Sequence, residues 1–344
     1  LKMKAVARLD ADSLDGALLV LQKGQDGTYQ VIQPGKEKQS TEADGEFLVF
    51  EKVYHGRSKW YGGFSYVDLM VEGVTEKFID LTMAGYEENV GEEFSGLVPG
   101  VFTDEPNIAV PNSREAIRWT PDLFPRFREK WGYSLEENLP SLFEETGDWR
   151  QVRHNYQSVL LDLFIERWSK PWWEYTEKHD LQWTGHYWEH GWPSPRHGPD
   201  NMAMYAWHQV PAVDLLFNRF GRQVQFGNVR NVKELSSVAN QLGRHRTLSE
   251  TYGGGGWELR FEDMKRLGDW EYVLGVNFLN QHLSHVTLKG DRKHDYPQSF
   301  TYHNPWWEHY RPLGDYYARL SVALSSGFQE NRVLVLEPTT TGWL

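Results

Sequence analysis

The chain of 344 residues contains no cysteine, which excludes disulfides and thiolate chemistry and fits either redox compartment. No apolar stretch approaches the roughly 20 residues that a membrane span needs. No signal peptide opens the sequence, an absence of little weight in a chain that begins at Leu1 rather than Met. Because it also stops at Leu344 just after an apolar run, it reads as a fragment. Basic residues are scarce: 36 Lys and Arg stand against 48 Asp and Glu, a net charge of -12. That balance argues against nucleic acid or an anionic membrane surface as a partner. Internal repeats and low-complexity tracts are missing. So is a Gly-x-Ser-x-Gly elbow, which removes the usual esterase reading.

Aromatic residues, by contrast, are abundant, with 16 Trp, 17 Tyr and 17 Phe. Large flat rings with a polar handle suit the faces of sugar rings. Tyr187, Trp188, Trp192, Tyr252, Trp257, Trp306 and Trp307 cluster after expected strand ends, which reads as a ligand surface, with an overfilled core as the alternative.

Residues 1 to 65 look unlike the rest. Ala17 to Leu21 and Thr28 to Ile32 flank Gly24-Gln-Asp-Gly27 in a hairpin pattern, and Gly45 to Phe50 adds a strand, so this region reads as an antiparallel insertion or side sheet. From Tyr66 onward, strand and helix signals alternate. Strands are expected near 66, 98, 181, 212, 245 and 276. Helices are expected at 74 to 90, with Phe78, Leu81 and Tyr86 on the apolar side, at 121 to 131, 149 to 178, 232 to 242 and 261 to 274. In the long segment, Val152, Tyr156, Val159, Leu160, Leu163 and Phe164 recur at helical spacing as one buried stripe. The fold class is α/β, an incomplete (β/α)8 TIM-barrel-like domain over residues 66 to 312. If the strand near 276 is the eighth, those at 98 and 245 are the fourth and seventh. Residues 313 to 344, a helix and then the strand Arg332 to Glu337, begin a further α/β domain.

Gly100-Val-Phe-Thr-Asp-Glu-Pro-Asn107 is an apolar strand that ends in two carboxylates and a proline. Barrel enzymes carry their reacting groups at such carboxyl ends. A second carboxylate, Glu250, ends Arg246-Thr-Leu-Ser before four glycines. Glycoside hydrolysis needs one carboxylic acid to protonate the leaving oxygen and a second carboxylate to attack or to activate water. Glu105 is the expected general acid and Glu250 the expected nucleophile or base, against the alternative of acids salt-bridged at a barrel rim. Asp104 beside Glu105 is expected to raise its pKa by like-charge repulsion or to orient a loop. Gly253 to Gly256 are followed by no Gly-Lys-Ser/Thr, so a close backbone approach to a ligand fits better than a phosphate loop.

His186-Tyr-Trp-Glu-His190 matches an inverted zinc-peptidase motif, but that motif needs a helix and here it follows a strand and precedes Gly191-Trp-Pro193. The preferred reading is a rim loop in which His186 and Glu189 meet sugar hydroxyls or a hard cation, with Glu189 as a calcium ligand. Rim hydrogen bonding to the backbone is the bland alternative. Asn280 and His282 follow the strand near 276 as further hydroxyl-binding candidates. With Asp104, Asn107, His186, Trp188, Tyr252, Trp257 and Trp306 they complete the expected substrate-binding set.

The order Gly100 to Asn107, Gly185-His-Tyr-Trp-Glu189, Arg246 to Glu250, Asn280-Gln-His282 and Asn304-Pro-Trp-Trp307 resembles the catalytic barrel of family-106-type glycoside hydrolases, the α-L-rhamnosidase-like proteins. It covers roughly residues 66 to 344. The resemblance implies a large multidomain bacterial protein, a calcium-assisted inverting mechanism, Glu105 as acid and Glu250 as base. It also implies that this chain lacks the first barrel strand or two. Glutamates ending strands four and seven, however, are the arrangement of the retaining clan that includes family-42 β-galactosidases. Three readings stand beside it: a family-42-like β-galactosidase, a sugar-binding barrel without catalysis, and, least favoured, a zinc peptidase.

Overall fold

The computed structural model describes residues 1–9, 14–32, 43–111, 115–191, 194–217 and 222–344. Four antiparallel strands, β1 (Lys2–Leu9), β2 (Ala17–Lys23), β3 (Tyr29–Ile32) and β4 (Ala43–Glu51), form one sheet in the order β1-β4-β2-β3. The hairpin between β2 and β3 is the expected one, and β1, which pairs with β4, is a strand beyond those expected. Alternation along these strands splits their apolar side chains. Leu19, Leu21 and Phe50 join the main core, while Val20, Phe47 and Val49 form a smaller cluster.

Five parallel strands form the second sheet: β5 (Gly100–Asp104), β6 (Gln182–His186), β7 (Val210–Leu215), β8 (Leu248–Thr251) and β9 (Phe278–Gln281). Strand order follows chain order, so the sheet curls as a half-barrel. Helix α1 (Val74–Val90) precedes β5. Between β5 and β6 lie α2 (Leu123–Trp131), α3 (Trp149–Phe164) and α4 (Lys170–Lys178). Helix α5 (Asn201–Tyr205) leads to β7, α6 (Arg222–Gln241) to β8 and α7 (Phe261–Leu274) to β9, and α8 (Arg311–Ser325) and α9 (Thr339–Gly342) follow. Every residue of the expected stripe on α3 is buried. A π-type turn at Ile165–Ser169 joins α3 to α4 just before Pro171, which lacks the N–H that a regular ladder would use.

One face of the parallel sheet packs on the helices through Trp183, Val213, Leu215 and Leu279, all in the main core. The other face is concave and open at both edges. There Phe102 on β5 and Phe278 on β9 are exposed.

Three expectations are corrected. Residues 65–70 form irregular backbone and a turn, not a strand. Asp68 is used to pair with Arg118 and to accept the Met70 N–H at 3.0 Å. Residues 332–337 are not a strand either, and Val333, Leu334, Val335 and Leu336 are exposed. Helix α1 has its expected bounds but buries Thr75, Ile79 and Met83, whereas Phe78, Leu81 and Tyr86 face outward.

Candidate active site

Residues in register on parallel strands point to the same side of the sheet. The register pairs Asp104 with His186, and Asp214 with Glu250 and Glu250 with Asn280. The carboxyl end of the half-barrel therefore carries three acids and an imidazole. Glu105 follows directly, with φ at 50°, a left-handed conformation uncommon for a side-chain-bearing residue. Its N–H still donates to the His186 carbonyl at 3.2 Å, so the turn is anchored to β6 before Pro106 ends the strand.

His186 is the centre of the site, 1% exposed. Its Nε2 lies 2.9 Å from Glu250 Oε2 and 3.5 Å from Asp104 Oδ1. On the other side of Glu250, His282 Nε2 stands 3.7 Å from Oε1. The Phe102 ring meets His186 edge-on at 5.5 Å.

These contacts separate the acids electrostatically. Burial disfavours the His186 imidazolium, but the Glu250 hydrogen bond and the charges of Glu189, Asp214 and Glu250 outweigh it and carry its pKa up to about 10. Burial also opposes the charged form of Glu250. The hydrogen bond and positive charge of His186 win there and hold Glu250 below the usual carboxylate range. Glu105 moves the other way, to about 7, first through burial and then through the charge of Asp104, against the pull of His186. Asp214, 3% exposed, is pushed up to about 8, mainly by burial. His282 is lowered by burial, against the charges of Glu250 and Asp104.

The remaining expected residues fall into different places. Asn107 spends its side chain on the loop: Nδ2 donates to the Glu105 carbonyl at 3.0 Å and Oδ1 accepts the Ala109 N–H at 3.1 Å. Asn280 is exposed beside Glu250 on the concave face. Trp188 is 37% exposed and stacks on His197 at 5.0 Å. Tyr252 is fully buried, with its hydroxyl donating to the Met264 carbonyl, so it supports the glycine loop from behind. Trp257 donates its indole N–H to the Lys293 carbonyl and lies along His285. Trp306 packs with Phe261, Phe300 and Tyr310 as core. Trp192 lies outside the described residues.

The glycine run makes the expected close approach, but to protein. A Cβ on Gly253 would stand 2.8 Å from Leu216, and one on Gly254 would stand 2.7 Å from Phe217. His186 belongs to a strand, and Glu189–Gly191 form a short turn of 3-10 helix, which ends the zinc-peptidase alternative.

Glu189 is buried, and its carboxylate ties two strand ends together. Oε2 accepts the Tyr187 N–H at 2.9 Å and Oε1 the Asp214 N–H at 2.8 Å. Calcium takes six to eight oxygens. A carboxylate with both oxygens bonded to amides, beside an imidazole already bonded to Glu250, does not fit that ion, and no step below passes through it. The residue that sequence reasoning missed is Asp214. The run Ala212-Val-Asp-Leu-Leu-Phe217 reads as an apolar strand, and only the pairing of β7 with β8 brings its acid beside Glu250.

Residues 66–336 match the profile of the alpha-L-rhamnosidase family, glycoside hydrolase family 106. Among solved structures, the chain is similar to a rhamnosidase from Novosphingobium sp. PP1Y, with a TM-score of 0.60 and 19% sequence identity. The likeness covers 95% of this chain and 41% of that one, so this chain spans about two fifths of that protein's length. At such identity the likeness is one of fold. No curated protein matches. Among the described residues, no helix is long and apolar enough to cross a membrane.

Proposed function

The chain belongs to the α-L-rhamnosidase family of glycoside hydrolases, and from that membership we propose that it cleaves a terminal α-L-rhamnoside-like sugar from a polysaccharide or glycoside. Glu105 is the general acid and Glu250 the general base in this reading. The observation that carries it is the opposite displacement of two strand-end carboxyls around one buried imidazole. Glu105, raised to about 7, keeps its proton up to neutral pH and has it ready for the leaving oxygen. Glu250, held ionised by His186, takes a proton from the attacking water. The glycosidic C–O bond breaks as the new C–O bond forms, and the anomeric centre inverts. His186, too buried to hold a sugar hydroxyl, sets the charge of the base. Asp104 and Asn280, exposed at the concave mouth, meet the substrate.

The same reading closes the half-barrel into an eight-stranded (β/α) barrel. Beside the outer edge of β5 runs an apolar groove of about 540 Å³ lined by Val67, Leu69, Phe78, Val101 and Phe102. A parallel strand laid there would use the edge groups of β5 and cover the outward side of α1.

The test is a panel of aryl glycosides, α-L-rhamnoside and β-D-galactoside included, with the anomer of the first-formed sugar followed by NMR. Cleavage of the rhamnoside with inversion is expected. Cleavage of the galactoside alone, or retention, refutes the proposal.

A further inference from the structure

Asp214 is a buried acid that the two-glutamate scheme leaves without a task. Its side chain points to the concave face in register with Glu250 on the neighbouring strand. Among the described residues, no protein group hydrogen-bonds its Oδ1, although that atom is shielded from bulk solvent. A buried oxygen without a partner costs roughly 1–3 kcal/mol, so its persistence calls for an explanation. One ligating atom each from His186, Asp214 and Glu250 lie within 4.8 Å of one another. Carboxyl oxygens within that distance on neighbouring strands are near enough for one water to bridge them, with each contact at about 2.8 Å.

Resting on the acid–base reading above, we propose that Asp214 is a third catalytic residue, which holds the attacking water against Glu250. The water donates one O–H to Glu250 and the other to Asp214, which leaves a lone pair aimed at the anomeric carbon. When the bond forms, the first of these protons passes to Glu250 and the second stays on the sugar's new hydroxyl. Asp214 accepts a hydrogen bond throughout and gains no proton. The groups around it divide the work in that sense. Glu189 accepts the Asp214 backbone N–H at 2.8 Å, and His186 Nε2 hydrogen-bonds Glu250 at 2.9 Å and favours its ionised form. A neutral Asp214 cannot compete with Glu250 as base, and burial keeps it neutral.

This role needs an acceptor oxygen but no charge, so Asp214→Asn and Asp214→Val separate it from a structural role. Measured on the full-length protein with an aryl α-L-rhamnoside, Asp214→Asn is expected to keep kcat within about tenfold of wild type. Asp214→Val is expected to lose about 10²-fold or more, with KM nearly unchanged. Equal losses in the two variants, or a Val variant with wild-type kcat, overturn the proposal. If the Val variant does not fold, a crystal structure of the wild type decides instead. It must show one water within about 3 Å of both Asp214 Oδ1 and Glu250, and a site without it refutes the inference. Glu250→Gln is measured alongside. Should that variant keep full activity, the acid–base reading itself fails. Should it fail while Asp214→Val stays active, only the role of Asp214 is lost.

Discussion

Replacing His186 by Gln removes one positive charge from between two carboxyls and leaves a side chain that still donates a hydrogen bond. The imidazolium favours the ionised forms of both Glu250 and Glu105, since it lowers each pKa. Its loss must therefore raise both. An opposite charge at hydrogen-bonding distance lowers a carboxyl pKa by about 1–3 units, or about 1.4–4 kcal/mol. Glu250, at 2.9 Å from Nε2, takes the larger share. In the wild type, kcat/KM should fall on the acid side only below the usual carboxylate range, where Glu250 takes up a proton. On the alkaline side it should fall near pH 7, where Glu105 loses its own. In His186→Gln the acid limb should rise by about 1–3 units and the alkaline limb by less, so the whole bell moves to higher pH. The assay is kcat/KM against pH on an aryl α-L-rhamnoside. Limbs that stay in place, or an acid limb that moves down, would refute the electrostatic role given to His186.

Other perturbations follow from the same geometry. Glu105→Gln should cost about 10²–10⁴-fold in kcat with a poor leaving group such as an alkyl alcohol. With dinitrophenolate, which leaves unprotonated, the cost should be far smaller, and rates on the two substrates give the comparison. The raised pKa of Asp214 means that the folded state binds a proton the unfolded chain releases above about 3.8. The stability this gives is present at low pH and lost as pH rises toward about 8. Urea melts of Asp214→Asn should accordingly show a shallower decline over that range than wild type. A Cβ on Gly185 would lie 2.1 Å from the Thr103 carbonyl oxygen, at a φ of 142°. Gly185→Ala should therefore force β5 from β6, cost about 3 kcal/mol or more, and lower both the melting temperature and kcat.

Several elements were legible because their signals are local. Helices α1 and α7 have their expected bounds, with Gly73 and Gly275 as punctuation at left-handed φ. Five strands lie where short apolar runs ended in polar residues, and Glu105 and Glu250 were visible as acids at such ends. What failed needed a partner to be known. Tyr66 to Met70 and Val333 to Leu336 carry strand-like composition, but a strand exists only where a neighbour completes its ladder, and neither has one among the described residues. Helix α1 is apolar on two sides, so periodicity could not say that Ile79 and Met83 go inward while Phe78 and Tyr86 border the open edge. His186 was expected at a sugar because burial cannot be read from a Gly-His-Tyr run. Aromatic abundance did not distinguish the buried Tyr252 and the partly buried Trp306, packed against the core, from the half-exposed Trp188.

The central claim is that Glu105 and Glu250 divide the acid and base roles, and the most direct test is kcat for the full-length wild type, Glu105→Gln and Glu250→Gln on an alkyl α-L-rhamnoside. Both substitutions should lower kcat by at least about 10²-fold while the proteins remain folded. A folded variant of either kind that turns over at the wild-type rate would contradict the assignment.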